Sequence, residues 1–516
     1  MAEAAASARS CVGYGGGGGC FLRRRLLAAA AYLAAVGLAA AALGATAAND
    51  AAEGRVHVTL TVADVLAASS SSSCDGATPP PREHKRGAGS GTRMTIVHRH
   101  GPCSPLADAH GNPPSQEDIL AADQSRAESI QRRVSAMATS RQPTELMKSA
   151  AASGALPASL SSSTPSLPVS SGRALDTGNY VVTIGLGTPA SQYTVVFDTG
   201  SDTTWVQCRP CVVVCYKQKD RLFDPAKSST YSNISCASSY CSDLYIHGCA
   251  GGHCLYDVQY GDGSYTVGFF AQDTLTLSSD SIKGFRFGCG ENNRGLFGRA
   301  AGLLGLGRGT TSLPVQTYDR YGGVFEHCLP ASYTRTGYLD FGPDSPAANA
   351  RLTPMLTENG PTFYYVGMTG IRVGRQLLPI PPSVFSTAGT LVDSGTVITR
   401  LPPTAYSALR SAFTKDMAAL GYKKAPALSI LDTCYDLTGR REVALPRVSL
   451  LFLGGACLDV DASGILYVAS PSQACLGFAA NEDDGDVGII GNTQLKTYGV
   501  LYDIGKRVVG FSPGAC

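Results

Sequence analysis

From Asp176 onward, apolar residues come in short runs broken by Gly, Pro and Asp every eight to twelve residues. That rhythm predicts short strands joined by turns. Strands are expected at Tyr180 to Ile184, Tyr193 to Phe197, Tyr256 to Tyr260, Thr274 to Leu277, Tyr364 to Gly367 and Val500 to Tyr502. One helix interrupts them: after Pro402-Pro403, the stretch from Thr404 to about Leu420 puts Tyr406, Leu409, Phe413 and Met417 on one face. Upstream the pattern is weaker. Met94 to Val97 reads as a short strand. Ser115 to about Met137 reads as a helix, with Ser115 and Asp118 spaced like a capping box and Ile119, Ile130, Val134 and Met137 as a partial apolar stripe.

Composition agrees with an all-β protein. Of 516 residues, 16% are charged, and 59 Gly, 29 Pro and 23 Tyr favour turns and strands over a helical bundle. The formal net charge is +2, which gives no global field for nucleic acid or an anionic membrane. The charge is also balanced locally: residues 49–175 carry 12 basic and 11 acidic side chains, and residues 176–516 carry 26 and 28.

Seven of the 17 cysteines fall between Cys208 and Cys254. Such density points to disulfides in an oxidising compartment. A zinc module built on Cys208 and Cys211 lacks a second regularly spaced pair, and His98, His100 and Cys103 have no second ligand cluster behind them. No metal or cofactor is expected. The N-terminus carries Arg23 to Arg25, an apolar run from Leu26 to Leu43, and then Ala45-Thr46-Ala47, in the order of a secretory leader, with an uncleaved anchor as the alternative. The organisation expected is a leader at 1–48, a Ser-, Ala- and Pro-rich prosegment at 49–175, an N-terminal lobe at 176–345 with a Cys-rich insertion at 208–254, and a C-terminal lobe at 346–516. The expected location is the secretory pathway, extracellular or vacuolar, ahead of a plastid. Asn233-Ile234-Ser235 is a glycosylation sequon.

The informative feature is an internal duplication. Val195-Val196-Phe197-Asp198-Thr199-Gly200-Ser201 recurs as Thr390-Leu391-Val392-Asp393-Ser394-Gly395-Thr396. A second echo follows: Leu303-Leu304-Gly305 ends 107 residues after Asp198, and Ile489-Ile490-Gly491 ends 98 after Asp393. Each half thus delivers one Asp from an apolar strand into a hydroxyl-Gly-hydroxyl turn, which suggests a two-fold arrangement. Two carboxylates forced within ~3 Å cannot both ionise and share one proton. Such a pair can act as base and acid together on a water held between them. A third match, Asp176-Thr177-Gly178, lacks the apolar strand and reads as a loop. Gly305-Leu306-Gly307-Arg308-Gly309 resembles a phosphate-binding loop only superficially.

These motifs, with Trp205, Tyr260-Gly261-Asp262-Gly263-Ser264 and Ile490-Gly491-Asn492, resemble a pepsin-type aspartic endopeptidase. The Cys-rich insertion, Phe287-Gly288-Cys289-Gly290, and Cys328, Cys434, Cys475 and Cys516 are similar to the plant nepenthesin-like branch, especially its chloroplast-nucleoid-protein-like members. The resemblance implies an all-β, bilobal, pepsin-like acid protease fold, with two β-barrel-like lobes and a catalytic cleft between them. It implies Asp198 and Asp393 as the catalytic dyad and Tyr260 as the tyrosine of a flap hairpin, with Gly261 and Gly263 bending its tip. Trp205 would pack behind Tyr260. Thr199, Gly200, Ser394 and Gly395 would line the cleft floor, and Ser201 and Thr396 would supply supporting hydroxyls. Twelve mature cysteines are expected in that branch; Cys457 is the thirteenth here and is expected to be a free thiol.

The function expected is hydrolysis of protein or peptide substrates at acidic pH by a monomeric enzyme made as a zymogen, with its own prosegment as inhibitor. Arg93, Arg99 and Arg132 are the prosegment cations considered for pairing with the cleft carboxylates. The alternatives are a catalytically silent binding or inhibitor protein on the same fold, and a nucleoid DNA-binding protein. Intact Asp turns argue against the first and the neutral charge balance against the second, so no nucleic-acid partner is expected.

Overall fold

The computed structural model describes residues 57–62, 74, 91–107, 115–139, 180–260, 263–295, 297–342, 347 and 349–516. The leader, the Asp176-Thr177-Gly178 triplet and Gly261 lie outside them.

Among the described residues, three elements precede Tyr180. Strand β1 is His57–Thr61, β2 is Thr92–His98, and helix α1 is Gln116–Thr139. The latter two are the predicted pair, lengthened slightly, and the Ser115 hydroxyl accepts from the Asp118 N–H at 3.1 Å as a helix cap. Strand β1 was not predicted. Its partner is Glu442–Pro446, paired antiparallel from His57↔Pro446 to Thr61↔Glu442. The two form a two-stranded sheet, and the partner lies far away in sequence. Strand β2 is inserted into a larger sheet, between Thr336–Phe341 on one side and the first residues of the next strand on the other.

The elements that position the site then follow in order: β3 (Tyr180–Leu186), β4 (Ser191–Asp198), β5 (His253–Gln259), β6 (Tyr265–Leu277), β7 (Gly302–Gly305), β8 (Thr390–Val392), β9 (Thr399–Leu401), α2 (Pro403–Ala419), β10 (Gly488–Ile490) and β11 (Gly499–Asp503). The expected strands are present, though Tyr364–Gly367 shortens to Tyr365–Val366 and Thr274–Leu277 is the end of the much longer β6. Strands β3 and β4 pair antiparallel with Val182 opposite Val195, so both centres are buried. Helix α2 buries Tyr406, Leu409, Phe413 and Met417, the face read from the sequence; each such side chain contributes about 1.5–3 kcal/mol.

The two lobes share a frame. Strand Val324–Cys328 from the first half pairs antiparallel with β11 from the second, so the lobes meet through a continuous ladder rather than a linker. The architecture is all-β and bilobal, as expected.

Cysteine pairing, which spacing left open, is Cys74–Cys103, Cys208–Cys289, Cys211–Cys215, Cys236–Cys249, Cys241–Cys254, Cys328–Cys516 and Cys434–Cys475. Cys457 is free. Cys208 and Cys211 therefore go to different partners. Cys103 is likewise committed to a disulfide, and the buried His98 ring stacks on Tyr333 at 3.7 Å.

Candidate active site

Each Asp turn sits where a strand runs beside its echo. In the first half β7 lies parallel to β4, with Gly305 opposite Asp198. In the second β10 lies parallel to β8, with Val392 opposite Ile490, and the Asp393 N–H donates to the Ile490 carbonyl at 3.0 Å. The apolar-apolar-Gly segments are thus the sheet neighbours of the Asp strands. Gly305 is required sterically: a Cβ there would lie 2.1 Å from the Asp202 carbonyl oxygen.

The turns interlock across the cleft. The Thr199 N–H donates to the Ser394 hydroxyl at 3.1 Å, and the Ser394 N–H donates to the Thr199 hydroxyl at 2.9 Å. This reciprocal pair joins residues 195 apart in sequence and brings Asp198 and Asp393 to one place. Within each turn the glycine N–H donates back to its own carboxylate, Gly200 to Asp198 at 2.9 Å and Gly395 to Asp393 at 3.1 Å. A Cβ at Gly200 would lie 2.6 Å from Asp393 Oδ1, and one at Gly395 would lie 2.5 Å from Asp198 Oδ1. Each glycine therefore makes room for the opposite carboxylate. Thr396 donates to Asp393 Oδ2 at 2.5 Å. Ser201 is buried beside its turn, where its carbonyl accepts from the Gly307 N–H. Asn492 Nδ2 donates to the Ser394 carbonyl at 3.0 Å.

Tyr260 closes a hairpin between β5 and β6. Its N–H donates to the Ser264 carbonyl, and the Gly263 N–H donates to the Tyr260 carbonyl. Gly263 takes a φ of 80°, which favours glycine. Buried Trp205 donates its indole N–H to the Tyr260 hydroxyl at 2.9 Å. Phe297, which the sequence reading missed, packs edge-on against both rings, at 4.7 Å from Trp205 and 5.4 Å from Tyr260. Burial pushes the Tyr260 phenol well above its ordinary pKa. Asn233 is half-buried, and its Oδ1 accepts from the Tyr231 hydroxyl. The Gly305–Gly309 loop wraps a carboxylate of its own chain: the Gly309 N–H donates to Asp202 at 2.8 Å.

Helix α1 lies over both Asp turns, and the cation it brings is Arg126. Its Nη2 donates to Asp198 Oδ1 at 2.7 Å and to Asp393 Oδ2 at 2.9 Å, while Nε reaches Asp393 Oδ2 at 3.1 Å. The three arginines considered from sequence sit elsewhere. Arg93 pairs with Asp340, Arg99 donates to the Phe297 carbonyl, and Arg132 stays exposed near Glu128. A signal for Arg126 did exist: it falls seven residues after Ile119 and four before Ile130, a cation on the apolar stripe of its helix. Burial would raise the Asp198 carboxyl, but the Arg126 charge and the Gly200 N–H hold it below the ordinary range. Asp393 lies above that range, because burial and the neighbouring Asp198 outweigh the guanidinium.

Further contacts seat the helix. The Asp123 carboxylate accepts from the Val397 N–H at 2.6 Å and the Ile398 N–H at 3.1 Å, and pairs with Arg400 at 2.7 Å. The Gln131 amide trades two hydrogen bonds with the backbone of Val487, at 2.8 and 2.9 Å. Arg133 stacks over Phe363 at 4.8 Å and donates to the Gly200 carbonyl.

Residues 180–343 match the family described as "Xylanase inhibitor N-terminal" and residues 363–513 that described as "Xylanase inhibitor C-terminal". An aspartyl protease family protein of Arabidopsis thaliana is 45% identical over 430 residues, covering 82% of this chain and 87% of that one. Aspartic proteinase nepenthesin-2 of Nepenthes gracilis is 35% identical over 356 residues, covering 66% and 78%. Among solved structures, basic 7S globulin from soybean superposes with a TM-score of 0.53 at 23% identity, covering 64% of this chain and 92% of that one.

Proposed function

The chain belongs to the pepsin-like family of plant aspartic proteases, and from that premise we propose that it is an acid-acting endopeptidase made as a zymogen. The observation that carries the proposal is the pair of buried carboxylates, one from each lobe, interlocked by Thr199 and Ser394 and bridged by one guanidinium. In this reading α1 is the inhibitory part of the prosegment and Arg126 is its plug. With the helix removed, Asp198 and Asp393 share one proton and position a water between them. The ionised carboxylate takes a proton from that water as it attacks the scissile carbonyl, and the protonated one donates to the carbonyl oxygen. Once α1 leaves, the Arg126 charge that depresses Asp198 leaves with it, and the remaining titration belongs to the pair rather than to either carboxyl.

The flap reading of Tyr260 rests on its hairpin and on the Trp205 bond that orients its hydroxyl. An extended substrate would lie under it as an added strand. Seven disulfides among the described residues support a secretory route. The family descriptions name a xylanase inhibitor, so a silent binding protein is the second reading. The complete pair of Asp turns and the hydrogen-bonded Tyr260 weigh against it.

The test is proteolysis of an unfolded protein by purified precursor after acid incubation, across about pH 2–7, with and without pepstatin and beside Asp198→Asn. Acid-optimal cleavage abolished by both the inhibitor and the substitution is the expected result. No cleavage after verified removal of the prosegment would transfer the weight to the binding reading.

A further inference from the structure

Arg400 lies on β9, seven residues past Asp393, and is a buried cation whose carboxylate partner is on α1. Its side chain is 2% exposed, and it pairs with Asp123, itself fully buried, at 2.7 Å. Its other terminal nitrogen donates to the Gln124 side chain, also on α1, at 2.8 Å. Its Nε is buried without a hydrogen-bond partner. The two N–H groups that join it on Asp123, from Val397 and Ile398, belong to the segment leading directly out of the Asp393 turn. Three donors of the C-terminal lobe therefore converge on one carboxylate.

All the groups that satisfy those donors leave when α1 leaves. A guanidinium and two backbone N–H groups thereby lose their acceptors, which water or another carboxylate must replace. Arg400 also lines a cavity of about 320 Å³ bounded by Gln124, Gln131, Asn481, Glu482 and Asp486. Glu482 and Asp486 are acids of the same lobe, yet the ion pair Arg400 makes is with Asp123. The planar fork of Arg beside two N–H donors is suited to a carboxylate.

We propose that Val397 N–H, Ile398 N–H and Arg400 form a carboxylate-binding subsite that selects an Asp or Glu side chain in the substrate, with Asp123 as its occupant in the precursor. This deepens the peptidase reading and rests on it. Asp123 precedes Arg126 by three residues, about 4.5 Å along the helix axis. The selected side chain therefore lies within about three residues of the scissile bond, at ~3.3 Å per extended residue. Arg400 touches no reacting atom here; it is a specificity-determining residue.

The experiment uses the mature protein, with active sites counted by pepstatin titration. The probes are internally quenched peptides of one sequence with blocked termini, in which Asn is replaced by Asp at one position at a time. At pH 5.5 one position is expected to gain about tenfold in kcat/KM through a lower KM, the size of one charge-assisted contact. That gain should disappear near pH 3, where a carboxyl of ordinary pKa ~3.9 is protonated. Arg400→Gln should remove the gain, read within each variant as the ratio of kcat/KM for the Asp peptide to that for the Asn peptide, and Arg400→Lys should restore part of it. A position-independent response, or a gain that survives Arg400→Gln, overturns the subsite while leaving the peptidase reading intact. If no peptide is cleaved, the peptidase reading fails instead. The subsite is then decided by the Asp-against-Asn difference in peptide affinity, read by fluorescence anisotropy with wild type and Arg400→Gln. A peptide ending in a free carboxylate at the selected position tests whether a chain terminus substitutes for the side chain.

Discussion

Replacing Arg126 by Met removes the guanidinium from between the carboxylates while keeping a strong helix former of similar length. The guanidinium donates to both carboxylates and its side chain is 14% exposed. Removing one partner from a buried charged pair costs about 3–5 kcal/mol. The two carboxylates left behind recover part of this by sharing a proton, so ~3 kcal/mol is the fitting estimate. At about 1.4 kcal/mol per decade, the fraction of precursor with α1 undocked should rise about 100-fold. The Asp123–Arg400 pair and the Gln131 bonds to Val487 remain, so the helix should stay docked in most molecules. The assay is the apparent affinity of uncleaved precursor for a fluorescent pepstatin derivative at pH 5.5, since affinity scales with the competent fraction. Arg126→Met should bind about 100-fold more tightly than wild type. Arg132→Met makes the same change in charge on the exposed face of α1 and should bind as wild type does. Equal affinities for the two variants would refute the role given to Arg126.

Acid should release the helix late. Burial and Asp198 raise Asp393, so it takes up a proton above the ordinary carboxyl range, and one negative charge on Asp198 still faces Arg126. Because the Asp198 pKa is depressed, its contribution to docking is present above its ordinary value of ~3.9 and is lost as pH falls through the depressed value. The ratio of precursor to mature activity should stay low at pH 5 and rise only below about pH 4; a rise beginning at pH 6 would contradict this. Tyr260→Phe leaves the Trp205 N–H without its acceptor, a cost of about 1–3 kcal/mol, and should lower kcat/KM about tenfold. Trp205→Phe should act through the same bond, so kinetics of the double variant should be less than additive, and strict additivity would sink the coupling. Burial and Asp459 push the Cys457 thiol up to about 11. At pH 8 about one in a thousand molecules then carries the thiolate. Peptide mapping should find Cys457 alkylated about 100-fold more slowly in the folded protein than after denaturation, and equal rates would exclude its shielded position.

Much of this molecule is local information. An Asp at the end of Val195-Val196-Phe197 is carried on a buried strand by its own neighbours, and the same holds for Asp393 behind Thr390-Leu391-Val392. The paired Leu-Leu-Gly and Ile-Ile-Gly segments could be associated with the Asp turns because duplication repeats spacing. The face of α2 followed from a period of 3.6 residues, and the cap of α1 from Ser115.

What escaped the sequence depends on partners far away along the chain. The stretch around β1 alternates, as Val58-Thr59-Leu60-Thr61-Val62, but so short a run names no partner, and the strand is held by pairing with Glu442–Pro446. Seven cysteines within one insertion allow many pairings, and one of them, Cys208, finds its partner outside it in Cys289. Three arginines looked as suitable as Arg126 for meeting the cleft, because charge alone carries no direction. By itself the sequence determined the alternation that builds the strands and the two turns that end in aspartate, since both arise from residues within one turn or strand of each other. The tertiary structure alone decided that these turns interlock, that Arg126 rather than Arg99 bridges them, and that Arg400 meets Asp123. Those contacts join residues 70 to nearly 280 apart, and no local pattern encodes a distance that only the packed lobes create.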